Sequence, residues 1–394
     1  MYTELASDKY TLRRQGKVEQ LEVERDTYRA GAWEPPALAE AGETSEYTRS
    51  RLEQFDWEMR CGVLPVRDGI TGSVYDVVCL NRDFREYPGW GEHNAIFVSM
   101  PFTSSFSTEQ GTGALWQISQ RFPRNLVIAV GNEGTSDVRV HPDWLHNSDL
   151  FTLTSIRHQC LHEALREHGG LDEHGMPVMG IDVIGQSMGA MFSSELAKYL
   201  QQNHIYGTPV ERAVLTAPPI NYSGTLKMAH DLLKQEAGSL WRSSPQERAR
   251  VTNHMSRHVL PQILGKEAAR KMLGKQEVHN ARVLHRLAEI SARAHIRAED
   301  LDGTGVQTTF ITGSEDVLSP PRDFLASKRA TPADSPASPG LRAIIASGEK
   351  HSNWLLDEVL CGRVIETALR WEDMVSVGKD REPVPESLNV TETY

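Results

Sequence analysis

The sequence predicts an α/β protein whose mostly parallel central sheet is covered by helices on both faces. Three observations carry this expectation. Short, nearly uninterrupted apolar runs recur, among them "NAIFVSM" (94–100), "NLVIAV" (125–130) and "GIDVI" (180–184). Segments with helical spacing alternate with them. The runs also lack the in-and-out alternation of a sheet with one wet face, so both faces must be buried.

Residues 1 to about 55 are charged and weakly periodic, with a Pro/Ala/Glu-rich stretch, "GAWEPPALAEAGETSEY". They read as an N-terminal extension with local helices and a flexible connector. The core begins near 56. "MRCGVLPV" and "VYDVVCL" are expected strands on either side of the turn "RDGITGS". "NAIFVSM" is a buried strand, "GALWQISQRF" (113–122) a helix and "NLVIAV" the next strand. In "LTSIRHQCLHEALR" (153–166), Leu153, Ile156, Cys160, Leu161, Ala164 and Leu165 form one helical stripe that Gly169-Gly170 stops. The strand "GIDVI", the helix "AMFSSELAKYLQQN" and the strand "ERAVLTA" (211–217) complete this half of the core, up to about 222.

Residues 223–303 break the alternation. They are helical in pattern, and Ser244-Pro245-Gln246-Glu247 offers a capping box with proline at the first helical position. A helical cap inserted into the core is the expectation, with Val283, Leu287 and Ile290 as an internal packing stripe. Strands resume with "GVQTTFIT" (305–312) and "LRAIIAS" (341–347). "NWLLDEVLCGRVIETALRWEDMV" closes the core as a long helix within 304–380, and 381–394 reads as a disordered tail.

Composition narrows the classes. With 394 residues there is material for a substantial core. Lys plus Arg number 42 against 53 for Asp plus Glu, a net charge of −11. That charge repels a phosphate backbone, so nucleic acid is not an expected partner. No apolar run is long enough to span a bilayer, and "MYTELASDKYTLRRQGKVEQ" has no apolar core of a secretory signal. Four cysteines stand without metal-finger spacing, and Cys79 and Cys160 fall within apolar segments as small buried hydrophobes. The cytoplasm is the expected compartment. Whether the chain forms a homo-oligomer stays open.

The chemistry gathers around "GIDVIGQSMGAM". Serine is a poor nucleophile until a base takes its proton and a turn lifts it clear of the backbone. A sharp strand-to-helix turn does the lifting, but it crowds the positions two before and two after the serine. Gly185 and Gly189 occupy those positions around Ser187. The helix that follows directs free N–H groups at the same point. Active groups of such sheets lie beyond the carboxyl ends of the strands. "TTFITGSEDVLSP" puts Asp316 there, with Glu315 as its rival, and "LRAIIASGEKHSNW" puts His351 beyond the last strand. Asp316 is equally placed to cap the helix "PRDFLASKRA".

These motifs resemble the α/β-hydrolase fold superfamily, in its serine-nucleophile branch with a helical cap. The resemblance covers about residues 94–222 and 305–375. The family's Gly-x-Ser-x-Gly is matched by Gly185-Gln186-Ser187-Met188-Gly189. Its Gly-x-x-Asp-x-x-x-Pro is matched by Gly313 to Pro320, and its Gly-x-x-His by Gly348-Glu349-Lys350-His351. That register favours Asp316 over Glu315. A cap between the sixth and seventh core strands is also a family habit. The resemblance implies a Ser187–His351–Asp316 catalytic triad, with an oxyanion hole from the backbone N–H groups of Phe102 and Met188. The segment "VIAVGNEGTSD" is similar in part to the family's Gly-x-Gly-x-Ser loop, with Asn132 or Glu133 in the place of its first glycine. Two departures stand out: Met100-Pro101 replaces the usual His-Gly after the third core strand, and Gln186 stands in the elbow where histidine is frequent.

The expected function is a serine hydrolase acting on a carboxylic ester or related small-molecule acyl substrate, without metal or organic cofactor. The alternatives are an acyltransferase similar to homoserine O-acetyltransferases, a carbon–carbon bond hydrolase on the same triad, and a binding protein that keeps the fold. His158/His162 and His254/His258 have the i, i+4 spacing of metal ligands but lack the adjoining glutamate of a zinc protease motif, and read as helix faces. Phe102, Phe106 and Met188 are candidate pocket walls.

Overall fold

A computed structural model describes residues 11–14, 17–20, 61–101, 109–135, 137–141, 143–203, 210–219, 283, 286–287, 289–290, 306–321, 341–346, 351, 365–366, 368–369 and 388–390. Two four-residue strands, β1 (Thr11–Arg14) and β2 (Lys17–Gln20), pair antiparallel where local helices were expected. The rest of the extension, 1–55, lies outside the described residues.

The apolar runs become the sheet. β3 (Cys61–Arg67) and β4 (Val74–Leu80) form an antiparallel hairpin. The remaining strands are β5 (Ala95–Ser99), β6 (Val127–Val130), the two-residue β7 (Val138–Arg139), β8 (Ile181–Gln186), β9 (Val210–Thr216), β10 (Gln307–Gly313), β11 (Leu341–Ala346) and β12 (Leu388–Val390). Their order across the sheet is β12-β11-β10-β9-β8-β5-β6-β4-β3, with β7 beside β4. From β6 through β11 every neighbouring pair is parallel, while β4 meets β6 antiparallel. This is the α/β-hydrolase fold, with one antiparallel strand near an otherwise parallel edge.

The helices are α1 (Glu109–Arg121), α2 (Trp144–Asn147), α3 (Leu150–Glu167) and α4 (Met188–Asn203). Asp149 caps α3 by accepting from the Thr152 N–H at 2.7 Å. Because strand side chains alternate, the two faces of the sheet build separate cores. Val78, Ile96 and Val98 pack with Leu115 and Ile118 of α1, and with Ile365 and Leu369. Val77, Cys79 and Phe97 face the other way, onto Ile156, Cys160 and Leu161 of α3 and Leu196 of α4. Cys79 and Cys160 are buried, and burial pushes the Cys160 thiol well above its usual range.

Two expectations change. The tail after about 380 is not wholly irregular, because β12 adds an antiparallel edge to β11. Most of the insert 223–303 lies outside the described residues, but Val283, Leu287 and Ile290 are helical and buried. They share a cluster with Met188, Met191 and Phe192 of α4 and with Leu215 and Phe310 of the sheet. This end of the insert therefore packs onto the core layer, where a stripe internal to the cap was expected. The Arg286 guanidinium ties it down by donating to Ser148 O at 3.0 Å. Among the described residues no helix is long and apolar enough to cross a membrane.

Candidate active site

At the end of β8 the chain turns within one residue into α4. Ser187 takes the strain of that turn, with φ 52 in the left-handed region where serine is uncommon. Its own N–H donates to Thr216 O on β9 at 2.7 Å, and its carbonyl accepts from Ala190 N at 3.0 Å. The flanking glycines are required by close backbone approach. A Cβ on Gly185 would collide with Gly189 O and the Ala190 Cα, and would lie 2.6 Å from Ala190 N. One on Gly189 would strike the carbonyl oxygens of Ser99 and Met100, the latter just past β5, and lie 2.8 Å from the Ser99 carbonyl carbon. The helix N-terminus thus sits hard against the adjacent strand, and side chains are excluded so that the backbones can meet.

Three side chains distant in sequence converge at this point. Ser187 Oγ lies 3.0 Å from His351 Nε2. On its far side the imidazole places Nδ1 2.9 Å from Asp316 Oδ2 and 3.1 Å from Oδ1. Opposite a carboxylate, Nδ1 carries the proton, which leaves the Nε2 lone pair facing the serine hydroxyl. Asp316 is further held by Leu318 N and Ser319 N, which donate to Oδ1 at 2.8 and 3.0 Å. The carboxylate thus caps the local turn and faces the histidine at once, while the helix "PRDFLASKRA" that it was expected to cap lies outside the described residues after Pro321. Glu315, its rival, is exposed. All three converging residues are buried, Ser187 at 8 % exposure being the most accessible.

Met188 opens α4, so its N–H belongs to the first turn, whose amides have no partner within the helix. Phe102 and Phe106 lie outside the described residues. Met100 and Pro101, which lead into Phe102, are described and tightly held: Asn132 Nδ2 donates to Met100 O at 2.7 Å and to Pro101 O at 2.8 Å. Asn132 in turn accepts from Arg157 Nη2 at 3.1 Å. Arg157 pairs with Glu133 at 3.5 Å, and Tyr75 donates its hydroxyl to Glu133 at 2.8 Å. Burial and the Glu133 carboxylate push the Tyr75 phenol well above its usual range, so it stays a donor. The sequence marks Asn132 and Glu133 only as a partial match to a family loop, and Arg157 only by its place four residues from both Leu153 and Leu161, on the stripe that α3 turns inward.

The histidine pair His158/His162 does face itself, with ring centroids 6.4 Å apart. Burial first, then its neighbour's charge, lowers His158 to about 4. Among the described residues no group of three or more His, Cys, Asp or Glu could hold a metal ion. His254 and His258 lie outside them.

No family model matches the chain, and no curated protein matches it in sequence. Among solved structures it is similar to a serine hydrolase of the polyaromatic-hydrocarbon-degrading bacterium Cycloclasticus zankles. The identity is 13% over 81% of this chain and 100% of that one, at a TM-score of 0.47. An esterase of Pyrococcus furiosus is similar at 12% identity, covering 80% of this chain and 93% of that one, TM-score 0.47. Carboxylesterase CesB of Bacillus subtilis follows at 12% identity, 82% and 96% coverage and TM-score 0.45.

Proposed function

We propose that the protein is a serine hydrolase that cleaves a carboxylic ester or a related acyl bond through an acyl-enzyme. The observation that carries this reading is the unbroken contact Ser187 Oγ–His351 Nε2–His351 Nδ1–Asp316, at 3.0 and 2.9 Å, on a serine held at φ 52.

The contact of these three side chains supports the following step. His351 Nε2 takes the hydroxyl proton as Ser187 Oγ attacks the acyl carbon, and Asp316 stabilises the imidazolium that forms. Negative charge builds on the carbonyl oxygen, where the Met188 and Phe102 backbone N–H groups receive it, each worth about 10²–10³ in rate. The imidazolium then gives its proton to the leaving alcohol. A water molecule, deprotonated by the same Nε2, attacks the acyl-enzyme and returns Ser187 to its hydroxyl form.

A fluorophosphonate probe tests the reading directly. The wild type is expected to be labelled at Ser187 and Ser187→Ala to remain unlabelled. A panel of p-nitrophenyl esters of rising chain length then reads out acyl preference. Folded wild-type protein that neither labels nor turns over any ester would leave the fold with a binding role.

A further inference from the structure

We propose that Ala217 is a positioning residue for the nucleophile: its methyl pegs in place the peptide group that joins Ser187 to the strand leading to Asp316. The inference rests on the serine-hydrolase reading above. Among the described residues three non-glycines have positive φ, Asn81 at 57, Ser187 at 52 and Ala217 at 45. Asparagine visits that region readily, whereas serine and alanine do so at a cost. The two strained residues stand abreast. Gln186 and Thr216 are partners in the β8–β9 ladder, so Ser187 and Ala217 are the next residue on each strand.

One peptide group lies between them. Its carbonyl, Thr216 O, accepts from Ser187 N at 2.7 Å, and its N–H, on Ala217, donates to Ile311 O of β10 at 2.6 Å. The C=O and N–H of a planar trans peptide point in opposite directions, so a tilt of this plane disturbs both bonds together. β10 ends at Gly313, whose carbonyl accepts from Asp316 N at 3.1 Å. Ser187 and Asp316 are thus linked through the His351 ring and, independently, through main chain. Pro218 follows directly and has no N–H, so Ala217 makes the last donation that β9 can offer β10. Proline also draws the residue before it toward extended backbone with negative φ, which adds to the strain at Ala217.

Glycine would take φ 45 without strain, yet the chain carries alanine here. The methyl accounts for that choice. Ala217 is wholly buried and clusters with Ile184, Val214, Ile311 and Ile344. A glycine would keep both hydrogen bonds within reach but lose the packed atom that fixes the plane. Relief of strain and loss of packing act in opposite directions on stability, so the role of the methyl is read at the site itself.

The test compares wild type with Ala217→Gly and with Ala217→Ser, which keeps the Cβ. The kcat on a p-nitrophenyl ester is expressed per site labelled to completion by a fluorophosphonate, and amide hydrogen exchange is followed at Ser187. Ala217→Gly should lower kcat about tenfold, short of the about 10²-fold of an ångström's misplacement, with KM close to wild type. Its Ser187 amide should exchange faster while that of Val183, in mid-strand, is unchanged. Ala217→Ser should stay close to wild type in both readouts. A merely structural Ala217 would shift the unfolding midpoint and leave kcat per site and Ser187 exchange at wild-type values, and that result overturns the proposal. A serine variant as impaired as the glycine variant overturns it too, because the Cβ would then not be the peg. Unlabelled wild type sinks the hydrolase reading and this inference with it, whereas labelled wild type with an unchanged Ala217→Gly sinks this inference alone.

Discussion

Two neighbouring loops at the same edge of the sheet are held in opposite ways. The turn after β8 is built from main chain and empty space: Gly185 and Gly189 admit no Cβ, and Ala190 N fixes the Ser187 carbonyl. The segment after β5 is built from buried polar side chains, a run from Tyr75 through Glu133 and Arg157 to Asn132 that ends on two carbonyls. The first region should be intolerant of an added atom, the second of a lost donor. A site assembled from both can be broken from either side, and the failures should look different.

The largest expected effect removes the nucleophile and spares both scaffolds. Ser187→Ala should lower kcat by about 10⁶-fold, measured by ester turnover, with the unfolding midpoint near wild type. Next comes Asp316→Asn, which keeps the shape but favours the wrong imidazole tautomer; a loss of about 10⁴-fold in kcat is expected. Neither variant touches the contrast between the loops, so each sets a scale for those that do. Gly189→Ala tests the first region. Its methyl must displace strand backbone, and a destabilisation on the order of 1–3 kcal/mol is expected by urea unfolding, together with lost activity. Tyr75→Phe tests the second at its far end. Removing the hydroxyl that donates to Glu133 should cost about 1 kcal/mol, with activity falling less than in Gly189→Ala. Equal losses in these two variants would erase the distinction drawn between the regions.

The legible part of this molecule is the part in which a residue's identity encodes its conformation. Glycines at 185 and 189 announce a backbone contact before the contacting atoms are known, and the strand-end rule then narrows the search to Asp316 and His351. The strand expected over "GIDVI" runs two residues further, because Gly185 continues the ladder against Ser99 and Leu215 and Gln186 follows it. Asn132 gave no such signal. Its partners are carbonyls 31 and 32 residues away, and a carbonyl looks the same behind every side chain. Arg157 was hidden differently, since a charged residue beside an apolar stripe is normally read as its solvated border. Short strands such as β1, β2 and β12 carry too few residues for a period of two to show.

The site is assembled from pieces that synthesis delivers far apart. On the proposed reading Ser187 precedes its base by 164 residues, so a ribosome working at about 5–20 residues per second exposes the proposed nucleophile roughly ten to thirty seconds before His351 exists. Through that interval the hydroxyl has no base to activate it, and the nascent chain is chemically silent toward acyl compounds. On that reading activity would arrive only with the last strands of the core, which would make completion of the fold its own safety catch.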